Sequence, residues 1–420
     1  MERVIFHVDV NSAFLSWEAV HRLKNLGGKL DLREIPSAVA GDMSKRHGII
    51  LAKSIPAKRY GIKTGQAVWE AFQKCPDLVT APPNYGLYEA ASNAMMEIFK
   101  RYSPDVEQYS IDEAFIDMTG TKELWGEPEA AANRIREQVK QELGFTVNIG
   151  VSSNKLLAKM ASDFKKPDMV HTLFPEEMKQ KMWPLPVSEL FFVGRATTKK
   201  LFSMGIRTIG DLAVTEPQIL RQHLKSHGEV IWNFVNGMDV SLVQTEAPPN
   251  KGYGNSTTVA FDVEDERTAK LVLLALAETV GTRLRQDGVK AEVISVGIRT
   301  FDLGYSSHQK VLGNATNITN EIHQTACCLF DELWDGTPIR HLGIHTSRMR
   351  DQDTPRQMEL FDENDYERLE QMDGTVDRIR GRFGNDCLKR AVFAGSPLDH
   401  MEGGISREKR NVDYSRLKIE

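Results

Sequence analysis

The sequence predicts a multidomain α+β protein: a ferredoxin-like split βαβ unit with a long insertion, then a helical module, then a second small α/β unit. Three observations predict it. The chain has 420 residues, enough for two to four cores at roughly 100–200 residues per domain. Up to about residue 170, apolar patterns of period two and period 3.6 follow one another in the order β, α, β, β, α, β. Proline-rich breaks then divide the remainder, at Pro184 and Pro186 and again at Ala247-Pro248-Pro249-Asn250.

Val4 to Val10 is a β-rich apolar run, after which Asn11 or Ser12 is the expected cap of a helix through Phe14, Trp17 and Val20. Beyond the insertion, Tyr85 to Arg101 has a helical apolar face of Leu87, Ala91, Met95 and Ile98. Val106–Ile111 and Ala114–Met118 read as strands joined at Asp112-Glu113. Pro128–Leu143 is helical and Phe145–Val151 is a strand. Ser152 or Ser153 is the expected cap of a helix running from Asn154 to Phe164. Residues 190–240 are helical with glycine turns. Between 251 and 350, strand-like stretches (Ser256–Val263, Glu292–Thr300, Arg340–Ser347) alternate with helix-like ones (Thr268–Arg285, Thr319–Leu333).

In a split βαβ sheet the third strand lies antiparallel beside the first. The carboxyl end of strand one therefore meets the start of strand three, and Asp9 should converge with Asp112 and Glu113. An isolated strand-end Asp is usually a turn cap and an Asp-Glu pair usually a solvated turn. Three convergent carboxylates instead call for a cation. Carboxylate oxygens favour Mg²⁺, and two such ions about 3.5–4 Å apart support in-line phosphoryl transfer.

Composition bounds the partners. Hydrophobic residues at 41% and charged residues at 26% exclude a wholly disordered chain. The net charge of −5 seems to speak against a polyanion, yet residues 351–370 alone carry −6, so the rest sums to +1. Within that rest, 40–66 holds six bases against Asp42, and 191–225 six against Asp211 and Glu216. The longest apolar run, Leu271 to Ala277, is closed by Lys270 and Glu278, far short of the ~18 residues of a membrane span. Cys75, Cys327, Cys328 and Cys387 lack metal-site or disulfide spacing. A cytoplasmic protein without membrane association is expected.

The His-Val-Asp-Val-Asn run at 7–11 and the Ser-Ile-Asp-Glu-Ala run at 110–114 resemble the two metal-binding motifs of Y-family translesion DNA polymerases, the DinB and UmuC group. The resemblance covers most of the chain. It implies a palm at 1–12 and 80–172, fingers at 13–79, a helix-hairpin-helix thumb at 173–246, a little finger at 251–350 and an acidic tail at 351–420. It also implies that Asp9 and Asp112 are metal ligands, assisted by the Val10 carbonyl, and that Glu113 is the active-site carboxylate. Phe14 takes the place of the aromatic gate that would meet a ribose 2′-hydroxyl; unaided, the pattern reads it as core.

The segment Ile50–Lys63 resembles the part of the fingers that touches the incoming triphosphate. Lys58 stands where the family usually has Arg, and Ile55 where Tyr is common. Ser54 is a further candidate donor to the triphosphate. Lys166, before Pro167, matches the family's triphosphate lysine, while Lys155 and Lys159 read equally as a solvated i,i+4 face. In the thumb, Val193-Gly194-Arg195 and Met204-Gly205-Ile206-Arg207-Thr208-Ile209-Gly210-Asp211-Leu212 look like a helix-hairpin-helix. Its glycine turn would point backbone N–H groups at phosphates, so Gly194, Lys199, Gly205 and Arg207 are the expected DNA contacts. Gln357-Met358-Glu359-Leu360-Phe361 resembles a bacterial sliding-clamp-binding peptide, with Gln357, Leu360 and Phe361 as its anchors on an extended, accessible tail.

The resemblance implies a template-directed, low-fidelity DNA polymerase of DNA repair and damage tolerance. It would use two Mg²⁺ ions, primer-template DNA and deoxynucleoside triphosphates, and would lack proofreading. Two rivals remain: a non-catalytic DNA-binding adaptor on the same fold, and a nucleotidyl cyclase, which would need the carboxylates but not the helix-hairpin-helix.

Overall fold

The computed structural model describes residues 3–42, 48–357, 365–396 and 398–401. Its first sheet has five strands in the order 106–108, 113–117, 5–10, 147–152, 170–172. The Ile5–Val10 strand is central and antiparallel to both neighbours, with Asp9 opposite Glu113 on one side and Asn148 on the other. All six of its residues are buried, because both faces of the sheet are covered. Strand alternation sends Phe6, Val8 and Val10 into the main core, beneath the Tyr85–Lys100 and Pro128–Leu143 helices. It sends Ile5, His7 and Asp9 to the opposite face, which the Lys155–Ser162 helix covers.

That helix lies unusually close to the sheet. A Cβ on Gly150 would stand 1.9 Å from the Ala158 carbonyl oxygen, so only glycine permits the approach. The helix is capped by Asn154, whose Oδ1 accepts from Leu157 N–H at 2.9 Å, rather than by Ser152 or Ser153. The strands on either side of Asp112 are also shorter than their apolar pattern, Val106–Gln108 and Glu113–Asp117. Between them the chain bends, and the N–H groups of Tyr109 and Ser110 both donate to the Glu113 carbonyl.

The Ala13–Lys24 helix buries Leu15, Trp17 and Val20 in the palm core. The rest of the insertion makes its own three-stranded sheet, order 50–53, 37–40, 79–81, with a separate core of Ala38, Ile50, Ile62, Val68 and Leu78. Four helices follow, Arg195–Ser203, Ile209–Val214, Pro217–Leu224 and Ser226–Val235. The last module is a four-stranded sheet, order 305–316, 289–300, 339–351, 252–263, backed by the Glu266–Gln286 and Thr319–Leu333 helices. Its edge strand, Tyr305–Thr316, is mostly exposed and polar, which removes the alternating apolar signal that would mark it in the sequence.

The segment joining the last two modules is fastened along the palm. Asn154 Nδ2 donates to the Gly237 carbonyl at 2.9 Å, and Asp239 Oδ2 accepts from Leu156 N–H at 3.1 Å. Arg3 donates to the Ser241 carbonyl at 2.6 Å, and Gln244 N–H donates to Glu107 Oε2 at 2.7 Å.

The acidic region contains the helix that its apolar spacing near 365–383 leads one to expect. Tyr366–Phe383 is a helix docked on the last module, with Arg285 bound to Asp377 at 2.6 Å and to Asp373 at 3.2 Å. Glu278 lies between Arg380 at 2.6 Å and Arg390 at 2.5 Å. The acids there answer buried cations instead of solvating the chain.

Candidate active site

Register fixes the constellation. Residues directly opposite in an antiparallel pair share a face, so Asp9 and Glu113 stand side by side at the end of the sheet. Val10 N–H donates to the Asp112 carbonyl at 3.1 Å, which pins the neighbouring residue to the same corner. Asp112 is oriented locally: Ser110 Oγ donates to its Oδ1 at 2.7 Å, and its own N–H donates back to Ser110 Oγ at 3.2 Å.

Two lysines reach the cluster, one from the Lys155–Ser162 helix and one from just beyond it. Lys166, its side chain 33% exposed, pairs with Asp9 and with Asp163 at 2.8 Å. Lys159, only 7% exposed, donates to Glu113 Oε1 at 2.7 Å from beneath. Burial pushes Asp9 up to about 6; Lys166 opposes the rise and the Glu113 charge adds to it. Burial, reinforced by the charges of Lys159, Lys166 and Lys155, holds His7 well below its ordinary value, so it is neutral at pH 7. Lys155 binds Glu107 at 2.6 Å and lies over the Phe115 ring at 4.7 Å. The two lysines read as an evenly balanced solvated face are therefore both engaged inside the palm.

The carboxylate set suits a hard cation. It offers only oxygen acceptors, and Asp9 is partly desolvated beside the charge of Glu113, a combination that a divalent ion relieves. Phe14 is half-buried near the start of the helix that follows the Asp9 strand. Its ring stacks on Tyr88, centroids 4.5 Å apart and 9° from parallel, with Tyr85 edge-on at 6.1 Å.

Comparison with known proteins identifies what carries such a corner. Residues 8–163 match the impB/mucB/samB family, residues 250–360 match that family's C-terminal domain, and residues 175–206 match the IMS family HHH motif. The chain belongs to the Y-family DNA polymerases. It is 46% identical over 394 residues to DNA polymerase IV of Clostridium acetobutylicum, covering 94% of this chain and 98% of that protein. It is 39% identical over 397 residues to DNA polymerase IV of Acetivibrio thermocellus, with 94% and 98% covered. It is 36% identical over 399 residues to DNA polymerase IV 2 of Bacillus subtilis, with 93% and 94% covered. A solved Y-family DNA polymerase chimera has the same fold, at TM-score 0.70 and 21% identity, over 82% of this chain and 99% of its own. Y-family membership brings divalent-metal dependence with it.

Outside the palm, the structure treats the remaining Y-family candidates unevenly. Lys58 is exposed on the short Ile55–Arg59 helix and stands near Lys53, whose ammonium is depressed by burial and then by the Lys58 charge. Ser54 is a correction. It is 2% exposed, its hydroxyl donates to the Ile35 carbonyl at 2.7 Å, and its lone pairs take the N–H groups of Ala57 and Ser37 at 3.0 and 3.1 Å. Its proton and acceptor sites are spent on capping the helix, so it has no donor for a triphosphate.

In the thumb, Gly194 precedes the Arg195–Ser203 helix and Gly205 makes the turn after it with φ of 82°, open on its Cβ side. Lys199 and Arg207 are exposed beside that turn. Gln357 is held through its main chain: its N–H donates to Asn314 Oδ1 at 2.7 Å, and its carbonyl accepts from Asn314 Nδ2 at 3.0 Å. Leu360 and Phe361 lie outside the described residues.

Sequence reasoning missed His7 and Glu107 and left Lys159 undecided. A signal for His7 was present, since two residues before Asp9 in a strand is the same face.

Proposed function

We infer that the chain is a template-directed, low-fidelity DNA polymerase that copies damaged DNA, and that Asp9, Asp112 and the Val10 carbonyl hold two Mg²⁺ ions at its active site. The observation that carries the site is the side-by-side register of Asp9 and Glu113 with Asp112 pinned next to them. Bound there, the ions would neutralise charge on the phosphates being exchanged. The protein's own groups do the rest by positioning. Lys166 transfers its charge to the incoming triphosphate, Lys58 meets the same anion from the fingers, and Phe14 blocks a ribose 2′-hydroxyl. Gly194, Lys199, Gly205 and Arg207 hold the duplex by its phosphates without reading bases. The clamp-binding peptide, anchored by Gln357, Leu360 and Phe361, tethers the enzyme to a sliding clamp. A cytoplasmic setting follows from a bacterial DNA substrate, and no helix among the described residues is long and apolar enough to cross a membrane.

A non-catalytic adaptor has no support, because all three carboxylates are present, two of them with lysine partners. Primer extension with four deoxynucleotides and Mg²⁺ tests the reading. Asp112→Ala should retain primer-template binding and lose at least about a hundredfold in incorporation, roughly 2.7 kcal/mol of transition-state stabilisation. Residual synthesis well above that level overturns the ligand assignment.

A further inference from the structure

Lys159 carries an arrangement that the expected set of active-site residues does not include. Its helix lies close enough to the sheet, over Gly150, for a side chain four residues beyond Lys155 to point down between strands. The ammonium donates to Glu113 Oε1 at 2.7 Å and stands 5.1 Å from the ring centres of both Tyr109 and Phe191. It also lies 3.5 Å from His7 Nε2. The hydrogen-bond network assigns the histidine tautomer. Ser162 Oγ–H donates to the Lys159 carbonyl at 2.8 Å, so the same hydroxyl oxygen accepts from His7 Nδ1–H at 2.8 Å. The lone pair of His7 is then on Nε2, turned towards the ammonium. Lys159 is thus fixed by its helix, by two aromatic faces and by a buried histidine, and it presents its charge in one direction.

We propose that Lys159 is a positioning residue for Glu113, holding one carboxylate oxygen from inside the palm and thereby setting how this side chain meets the reacting groups. The proposal rests on Glu113 as the active-site carboxylate. A glutamate side chain has three rotatable torsions, and a strand-edge position at a chain bend does not restrict them by itself. Outer hydrogen bonds supply that restriction in well-ordered sites, and a misplacement of about 1 Å costs roughly a hundredfold in rate. Lys166 differs in kind: its side chain is partly exposed and is shared between Asp9 and Asp163.

Single-turnover incorporation of a matched deoxynucleotide by the full-length protein tests this, using Lys159→Met, Glu113→Gln and the double variant. Lys159→Met should lower the maximal rate by about 10- to 100-fold while nucleotide and primer-template dissociation constants stay within about twofold. In the Glu113→Gln background the same change should cost less than about twofold more, because the group that Lys159 positions is already lost. Its effect on the melting temperature should shrink in that background too, a readout independent of catalysis. Additive rate losses, a rate unmoved by Lys159→Met, or a loss confined to nucleotide affinity would overturn the proposal. A wild-type rate in Glu113→Gln alone would instead overturn the underlying active-site reading. Should the methionine variant fail to fold, Lys159→Gln, which keeps an N–H donor in the pocket, takes its place with the same non-additivity expected.

Discussion

The proposed gate ring is not free-standing, and that makes its expected strength calculable. Phe14 lies flat against Tyr88 with Trp17 tilted beside it at 6.0 Å, and Tyr88 is 0% exposed. Retreat from a 2′-hydroxyl would therefore require moving a fully packed neighbour. An aromatic stack contributes about 0.5–1.5 kcal/mol beyond its buried area, which corresponds to roughly 2- to 13-fold in any quantity that depends on where the ring sits. Tyr88→Leu should lower discrimination against ribonucleotides by about that factor, with deoxynucleotide use little changed. Phe14→Ala removes the obstruction itself and should lower it by about a hundredfold, roughly 2.7 kcal/mol. Tyr88→Phe keeps the stack and removes only a buried hydroxyl beside the Asn84 backbone, so discrimination should not fall. The assay is single-turnover incorporation of matched deoxy- and ribonucleotides, read as the ratio of efficiencies. A flat ratio in Phe14→Ala would show that the ring is only core. A loss in Tyr88→Leu as large as in Phe14→Ala would refute the back-stop argument.

Lys166→Ala should weaken nucleotide affinity more than DNA affinity, each measured separately; equal losses would make it a backbone-binding lysine. Arg207→Ala should weaken DNA binding uniformly across sequences and reduce the salt slope by about one, as read by anisotropy titrations at several salt concentrations. Glu278 is dragged upward by burial but held lower still by Arg390 and Arg380, so its net shift is below the ordinary value of 4.5. A carboxylate depressed in the folded state contributes stability that is present above its unfolded value and lost as pH falls through its folded value. Glu278→Gln should accordingly destabilise the protein near pH 7 by leaving Arg380 buried and unpaired, and the gap in melting temperature should narrow as pH falls below 4.5 through the depressed folded value. Leu360→Ala/Phe361→Ala should leave synthesis on short primers unchanged and abolish clamp-stimulated processivity; undiminished stimulation would show that the peptide is a linker.

The sheet order and the Asp9–Glu113 corner were legible because they rest on period-two alternation and on two short motifs. What was not legible depends on distances that sequence pattern does not carry. Lys155 and Lys159 have the spacing of a solvated face, and only the closeness of their helix over Gly150 turns Lys159 inward. Ser54 beside Ile55-Pro56 has the pattern of a capping residue followed by an early helical proline, a signal that the reading of this segment by resemblance did not use. Asp373 and Asp377 lie in a segment that reads as helical, but its docking was not legible because their counter-ion, Arg285, is about ninety residues earlier.

The fastening between Gln244 and Glu107 sets a leash length. From Gln244 to Gly252, where the little-finger sheet begins, the chain spans at most roughly 29 Å when fully extended. That radius is slightly less than the length of the Glu266–Gln286 helix the little finger carries, about 32 Å at 1.5 Å per residue. If the contacts at Gly237, Asp239, Ser241 and Gln244 all let go, the same domain hangs from Asn236 and its reach doubles to roughly 58 Å. Effective concentration falls roughly as the −3/2 power of tether length, so doubling the free chain would lower the local concentration of the last module about threefold. The palm contacts thus act as a spool that sets how much chain is left free between the two modules.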